Sequence, residues 1–243
     1  MKRADELFTF VERTSPSQLI EGTWQTDSVP VETFVSTAVC HWEMVVTRQP
    51  GSVMLTVRGP ETRASRAPIP QDAQFFGITF SLGTYMPSLP PGRLVDGAAN
   101  LPVASGSGFV LDGVAWDLPG PDNADVFVDR LARSGLLVHD PVAAAALEGE
   151  VAGLSTRTLE RRVARATGLT RRAIRQIERA GRAVELLTSG VPAADVAHRC
   201  GYADQPHLTR SLRRFVGQTP ARIASPPGDA ASFPFKTAAP AGG

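Results

Sequence analysis

The chain has 243 residues, with 25 Lys and Arg against 24 Asp and Glu and a formal net charge of +1. That length is enough for two domains of ordinary size. A hydrophobic fraction of 42% and a charged fraction of 20% describe a globular chain rather than a disordered one. No run approaches the ~18 apolar residues of a membrane-spanning helix, which predicts no membrane partner. The opening stretch MKRADELFTFVERTSP has no apolar signal core, so no export is expected. The two cysteines, Cys40 and Cys200, fall in different predicted domains. That predicts no disulfide framework and fits the reducing cytoplasm.

The near-neutral total hides an asymmetry. Residues 1–150 hold 10 basic and 18 acidic side chains, a net of −8, whereas residues 151–223 hold 14 arginines and 5 acids, a net of +9. An acidic half joined to an arginine-only basic half predicts a polyanion partner for the second half.

In chain order, residues from about 8 to 118 are rich in Val, Thr, Phe and Trp and punctuated by Gly and Pro. VETFVSTAVCHWEMVVT, SVMLTVRG, DAQFFGITF and GFVLDGVAW read as strands. Turn signals such as Gln49-Pro50-Gly51 and Arg58-Gly59-Pro60 follow them. Several short strands at this spacing predict a β-rich barrel or sandwich, cupin-like in outline, over residues 1–135. A helix is expected at Asn123–Arg133. Asp140-Pro141 starts the next helix, with a capping carboxylate and a first-turn proline.

An all-α domain is then expected over 139–224. Ser155 caps a helix to Thr167 that buries Leu159, Val163 and Ala166, and Gly168 stops it. Thr170 caps a longer helix to Ser189, whose seam is Ala173, Ile177, Ala180, Val184 and Leu187. At ~1.5 Å per residue, a helix of ~18 residues spans ~27 Å. It can therefore carry two reading heads to successive major grooves, which lie ~34 Å apart. Ala193, Val196, Ala197 and Cys200 mark a third helix, ended by Gly201. Asp204 caps a fourth, which buries Leu208, Leu212 and Phe215 and carries arginines on its other side. Short helix, glycine turn and basic helix, twice, make a fold of class α+β with two helix-turn-helix motifs joined by a linker helix. The tail 225–243, rich in Pro, Ala and Gly, is expected to be disordered.

The segments LSTRTLERRVARATGLT, RAGRAVELLTSG and VAHRCGYADQPHLTRSLRRFVGQTP resemble the AraC/XylS family of bacterial transcription regulators over residues 140 to 224. The resemblance implies double-stranded DNA as partner and an N-terminal β-rich domain for effector sensing or dimerisation; a further reading is a co-regulator that contacts RNA polymerase or another protein through the basic helices. Monomer and homodimer both stay open, because two reading heads in one chain suit a two-part site. Two features depart from the family pattern. Thr170-Arg171 stands where Ser-Pro is usual, and PVAAAALEGEVAG makes an irregular first positioning helix.

Arginine can fork onto guanine, glutamine onto adenine, and glutamate can accept from cytosine. Mapped onto the family pattern, the base readers are Arg157, Glu160 and Arg161 in the first reading helix. In the second they are Gln205, His207, Thr209 and Arg210. Arg161 and Arg210 lead. Glu160 has an alternative role as ion-pair partner of Arg157 or Arg161. Arg165, Arg171, Arg172, Arg213, Arg214 and Thr219 are expected at phosphates.

The β-rich part has no ligand motif. Candidate effector residues are Trp42, Glu43, Arg58, Phe76 and Trp116, with the plainer reading that Trp42 and Phe76 are core and Arg58 pairs with Glu43 or Glu61. Only His41 of the four histidines lies there, which predicts no metal site and no cofactor. Ser105-Gly106-Ser107-Gly108 resembles a nucleophile elbow but lacks its context, so no enzyme is expected. The alternative reading is a small-molecule-binding or enzymatic β-domain with a regulatory basic appendage.

Overall fold

A computed structural model describes residues 11–28, 33–104, 108–149, 151 and 153–225. Residues 105–107, within the Ser-Gly-Ser-Gly run, and 226–243 lie outside the described residues.

Six strands form one antiparallel sheet in the order β1-β2-β7-β4-β5-β9. They are β1 (Val11–Arg13), β2 (Ile20–Asp27), β4 (Glu43–Gln49), β5 (Ser52–Arg58), β7 (Gln74–Phe80) and β9 (Ala98–Leu101). Alternation decides the faces. Met44, Val46, Leu55, Val57, Phe76, Ile78 and Phe80 point one way, into a core shared with Phe109, Leu111 and Trp116. Those three come from a second sheet of β10 (Val103–Ala104), β11 (Gly108–Leu111) and β12 (Val114–Asp117). Helix α1 (Ala124–Arg133) closes the same core with Phe127, Val128 and Leu131.

The other face of the large sheet is polar at one end. A register shift between Ile20 and Gly22 turns β2 over, so that Ile20 joins the core while Trp24 pairs with Gly77 on the opposite face. Bulges re-aim side chains in this way. The indole fills the space of the missing side chain, since a Cβ on Gly77 would stand 2.1 Å from Trp24 Cε2. The stretch 31–47, read as one strand, is two. β3 (Thr33–Ser36) pairs with β6 (Ser65–Pro68) in a separate ribbon, and β4 starts only at Glu43. Between them the chain turns toward the helices, where the Ala38 N–H donates to Phe215 O at 2.7 Å.

Six helices follow: α2 (Pro141–Glu148), α3 (Thr156–Thr167), α4 (Arg171–Thr188), α5 (Ala193–Arg199), α6 (Gln205–Phe215) and α7 (Pro220–Ala224). The expected caps are made. Asp140, Ser155, Thr170, Asp204 and Thr219 each accept from a first-turn N–H. Gly168 and Gly201 take the left-handed conformation at φ 75° and 68°, which glycine adopts without strain.

The helical core and the β part are not separate bodies on a loose tether. Ala38, Cys40 and Tyr85 belong to the same apolar cluster as Ile174, Leu208 and Phe215. The segment joining the halves is itself paired, β13 (Val138–His139) lying antiparallel to β8 (Thr84–Tyr85).

Candidate nucleic-acid interface

α3 and α6 are the second helices of two helix pairs, α2–α3 and α5–α6. α3 buries Leu159, Val163 and Ala166, and α6 buries Leu208, Leu212 and Phe215. The linker α4 has 18 residues and buries Ile174, Ile177, Ala180, Ala183 and Leu187, with Gly181 also buried. Opposite the apolar stripes, Arg157, Arg161, Arg165 and Arg172 are exposed, as are Gln205, Arg210, Arg213 and Arg214. None of these arginines makes an ion pair among the described residues.

Other candidates are engaged within the fold. His207 is half-buried, its ring edge-on to Tyr202 at 5.2 Å, and its Nδ1 accepts from the Ala203 N–H at 3.4 Å. That acceptor role leaves the proton on Nε2. Thr209 donates to Gln205 O at 2.9 Å, and Thr219 accepts from the Arg222 N–H at 3.3 Å. Arg171 is half-buried, with its Nε lacking a partner. Glu160 is half-buried and makes no ion pair among the described residues, so neither Arg157 nor Arg161 is its salt-bridge partner.

Each unit has its own brace, which periodicity does not single out. In the first, the Arg162 guanidinium donates to both Asp140 oxygens, the closest contact being 2.8 Å. Asp140 also accepts from the N–H groups of Val142 and Ala143, so one carboxylate caps α2 and ties it to α3. Partial burial pushes this carboxyl up, but Arg162 and the two N–H groups outweigh it and hold the carboxyl below its ordinary range. In the second unit, the Arg179 guanidinium of α4 lies 4.3 Å over the Tyr202 ring and donates to Gly201 O at 3.3 Å. The Tyr202 hydroxyl in turn meets Ser211 Oγ of α6 at 3.1 Å.

The β part holds the C-terminal ends of α3 and α6. Gly168, which closes α3, lies against the turn at Pro91–Arg93, and a Cβ there would stand 2.8 Å from Gly92 N. At the end of α6, the Ala64 N–H donates to Arg214 O at 2.8 Å, beside the bond from Ala38 to Phe215. Cys40 Sγ points to Ile174 O at 3.8 Å, and burial pushes its thiol far up, which makes it a poor nucleophile. Burial also raises the Glu178 carboxyl, partly countered by His41, Arg182 and Arg175.

On the polar end of the large sheet is a small cleft of about 70 Å³, lined by Trp24, Phe34, Ser36, His41, Glu43, Arg58, Glu61 and Thr79 among others. Of the sequence candidates, Glu43 and Arg58 line it, whereas Trp42, Phe76 and Trp116 lie in the core and do not. Trp42 stacks on Phe80 at 3.9 Å and donates to Thr84 O. Arg58 pairs with both carboxylates, Glu43 at 3.3 Å and Glu61 at 2.7 Å. Burial works against its charge, but the two carboxylates more than offset this and push its pKa up. Glu43 also accepts from the Trp24 indole at 3.1 Å, and Glu61 from Ser36 at 2.8 Å. His41 must donate from Nδ1 to Phe80 O at 2.8 Å, since a carbonyl can only accept. No group of three or more potential metal ligands gathers among the described residues.

Sequence comparison matches a known family at the helical end. Residues 149–225 match a family described as a helix-turn-helix domain. The HTH-type transcriptional regulator RipA of Corynebacterium glutamicum is 33% identical over 119 residues, 43% of this chain and 36% of that protein. The chain thus matches little more than a third of that relative's length. A solved structure of ToxT from Vibrio cholerae aligns over 89% of this chain and 98% of that one, at 8% identity and a TM-score of 0.41.

Proposed function

We propose that this chain is a regulator of the AraC/XylS type, a sequence-specific transcription regulator that reads double-stranded DNA without catalysing a reaction. Arg161 and Arg210 fork onto guanine edges, aided by Arg157 and Gln205. Glu160, with no arginine salt bridge among the described residues, accepts from cytosine. Arg165, Arg172, Arg213 and Arg214 take phosphates and set register. His207 and Thr209 shape the start of α6 rather than read.

The observation that carries this reading is the pair of helix faces whose exposed arginines make no ion pair among the described residues, on two helices braced to one 18-residue strut. Residues 1–135 form the sensor or dimerisation part and 139–224 the DNA-binding part, with the cytoplasm as compartment and RNA polymerase as second partner. The cleft at Glu43 and Arg58 is the proposed effector site, because it joins aromatic walls to fixed charges in a recess.

The test is selection of duplexes from a randomised pool by the full chain. A recovered motif with two parts, weakened at one part by Arg161→Ala and at the other by Arg210→Ala, is the expected result. Recovery of no common motif overturns sequence-specific reading.

A further inference from the structure

We propose that the acidic half also touches DNA, through Arg63, Arg66 and Arg93, which continue the phosphate-binding surface past the C-terminal ends of α6 and α3. This rests on the DNA-reading function proposed above.

The three arginines sit at the two joints between the halves. Arg93 directly follows Gly92, which packs on the Gly168 cap of α3. Arg63 and Arg66 flank Ala64, whose N–H donates to Arg214 O at the end of α6. All three side chains are exposed, and none makes an ion pair among the described residues. The helix ends they meet already carry Arg165, Arg213 and Arg214, also exposed and without a salt bridge. Arg165 lies 5.6 Å over the Tyr85 ring of β8, at the same joint.

Of the carboxylates near the joints, Glu61 and Asp140 are paired with arginines, and Asp96 is bound by neutral donors. Glu61 is bound to Arg58 and Ser36, Asp140 to Arg162, and Asp96 accepts from the Thr62 N–H and hydroxyl at 2.6 and 2.7 Å. Arg63 thus shares a recess with Asp96, which keeps its charge, while Arg66 and Arg93, in the half whose net charge is −8, and Arg165, Arg213 and Arg214 make no ion pair among the described residues. A polyanion bound alongside would pair with these cations.

Reach is adequate. α6 has 11 residues and is about 16 Å long, while the major groove is about 12 Å wide. With the N-terminal turn at the bases, the last turn and its neighbours lie beside a phosphate wall. The plainer role for cations here is to complement the negative ends of the helix dipoles. That role affects stability and leaves the salt dependence of DNA binding alone, so the two separate by experiment.

The experiment measures binding of the full chain to its selected duplex across a salt series. Each phosphate contact contributes about 0.9 to the slope of log affinity against log salt. The R63Q/R66Q/R93Q variant should lose about 2.7 from that slope and keep its base preference. The single variants should each lose about 0.9, which covers the case of a triple variant that fails to fold. Arg48→Gln removes an exposed arginine at the far end of β4 and should leave the slope unchanged. A triple-variant slope equal to that of the unmodified chain overturns the proposal, as does an equal loss in Arg48→Gln, which would mean net charge alone. If the unmodified chain retards no duplex at low salt, the DNA-reading function itself has failed, and that outcome is distinct from both.

Discussion

The first reading unit ties its helices together with an ion pair, and the second with an aromatic ring. In the first, α2 and α3 are separated by residues 149–155, and Asp140 with Arg162 spans the pair. In the second, only residues 200–204 separate α5 from α6, and Tyr202 packs inside that turn between Arg179 and Ser211. A short turn fixes the helix angle by its own length. A long one leaves it open, and a charged fork with directional geometry fixes it instead. The same arrangement is reached by two kinds of force, and the charged fork is the one expected to respond to salt and pH.

The largest effect expected is on the second unit's core. Leu212 is fully buried, so Leu212→Ala should cost about 2–5 kcal/mol, seen as a lower denaturant midpoint. Val163→Ala at the equivalent depth in α3 should cost less, because two carbons rather than three are removed. Equal midpoints for the two variants would mean that the units do not share one cooperative core.

Next come the readers. Arg210→Ala and Arg161→Ala should each remove about 1–3 kcal/mol of discrimination at one base position. Binding to duplexes with single changes measures it. If Arg161→Ala leaves every preference intact while Arg210→Ala does not, the first unit positions the protein and only the second reads.

Both units were legible in the sequence to different depths, for the same physical reason that separates their braces. Caps and seams are local, so Ser155, Thr170, Asp204 and the stripe of α4 could be read from spacing. The Asp140–Arg162 fork joins residues 22 apart and leaves no periodic trace. The irregularity of PVAAAALEGEVAG is what remains visible of it, a helix of 8 residues that ends at Gly149. In the β part the strands were legible where alternation is strong. The break at 37–42 was not, because the pull there comes from α4 and α6, more than 130 residues away. The cleft was half legible. Arg58 with its carboxylates could be guessed from charge, but Trp24 reaches it only through a register shift in β2.

A smaller effect should come from the ring of the second unit. Tyr202→Phe keeps the face over which Arg179 lies and removes the hydroxyl that meets Ser211. A net loss of about 0.5–1.5 kcal/mol is expected in unfolding experiments, with base preference unchanged. A change in preferred spacing between the two parts of the selected motif would mean that the hydroxyl sets the angle of α6 as well as its stability.

The smallest effect belongs to the charged fork, and its sign is the sharpest check on the comparison. Asp140 has its carboxyl held below the ordinary range in the folded chain, so its stabilising contribution is complete above the unfolded value near 3.8. It fades as pH falls through the lower folded value. Asp140→Asn should therefore be less stable than the unmodified chain at neutral pH, and the gap should close in acid. Because the Arg162 side chain is 41% exposed, the gap should also shrink as salt is added. Tyr202→Phe, which removes no charge, should show neither trend. A salt-independent Asp140→Asn gap that persists below the folded carboxyl's titration would place the role of Asp140 in capping α2 alone, and leave α3 positioned by its apolar contacts.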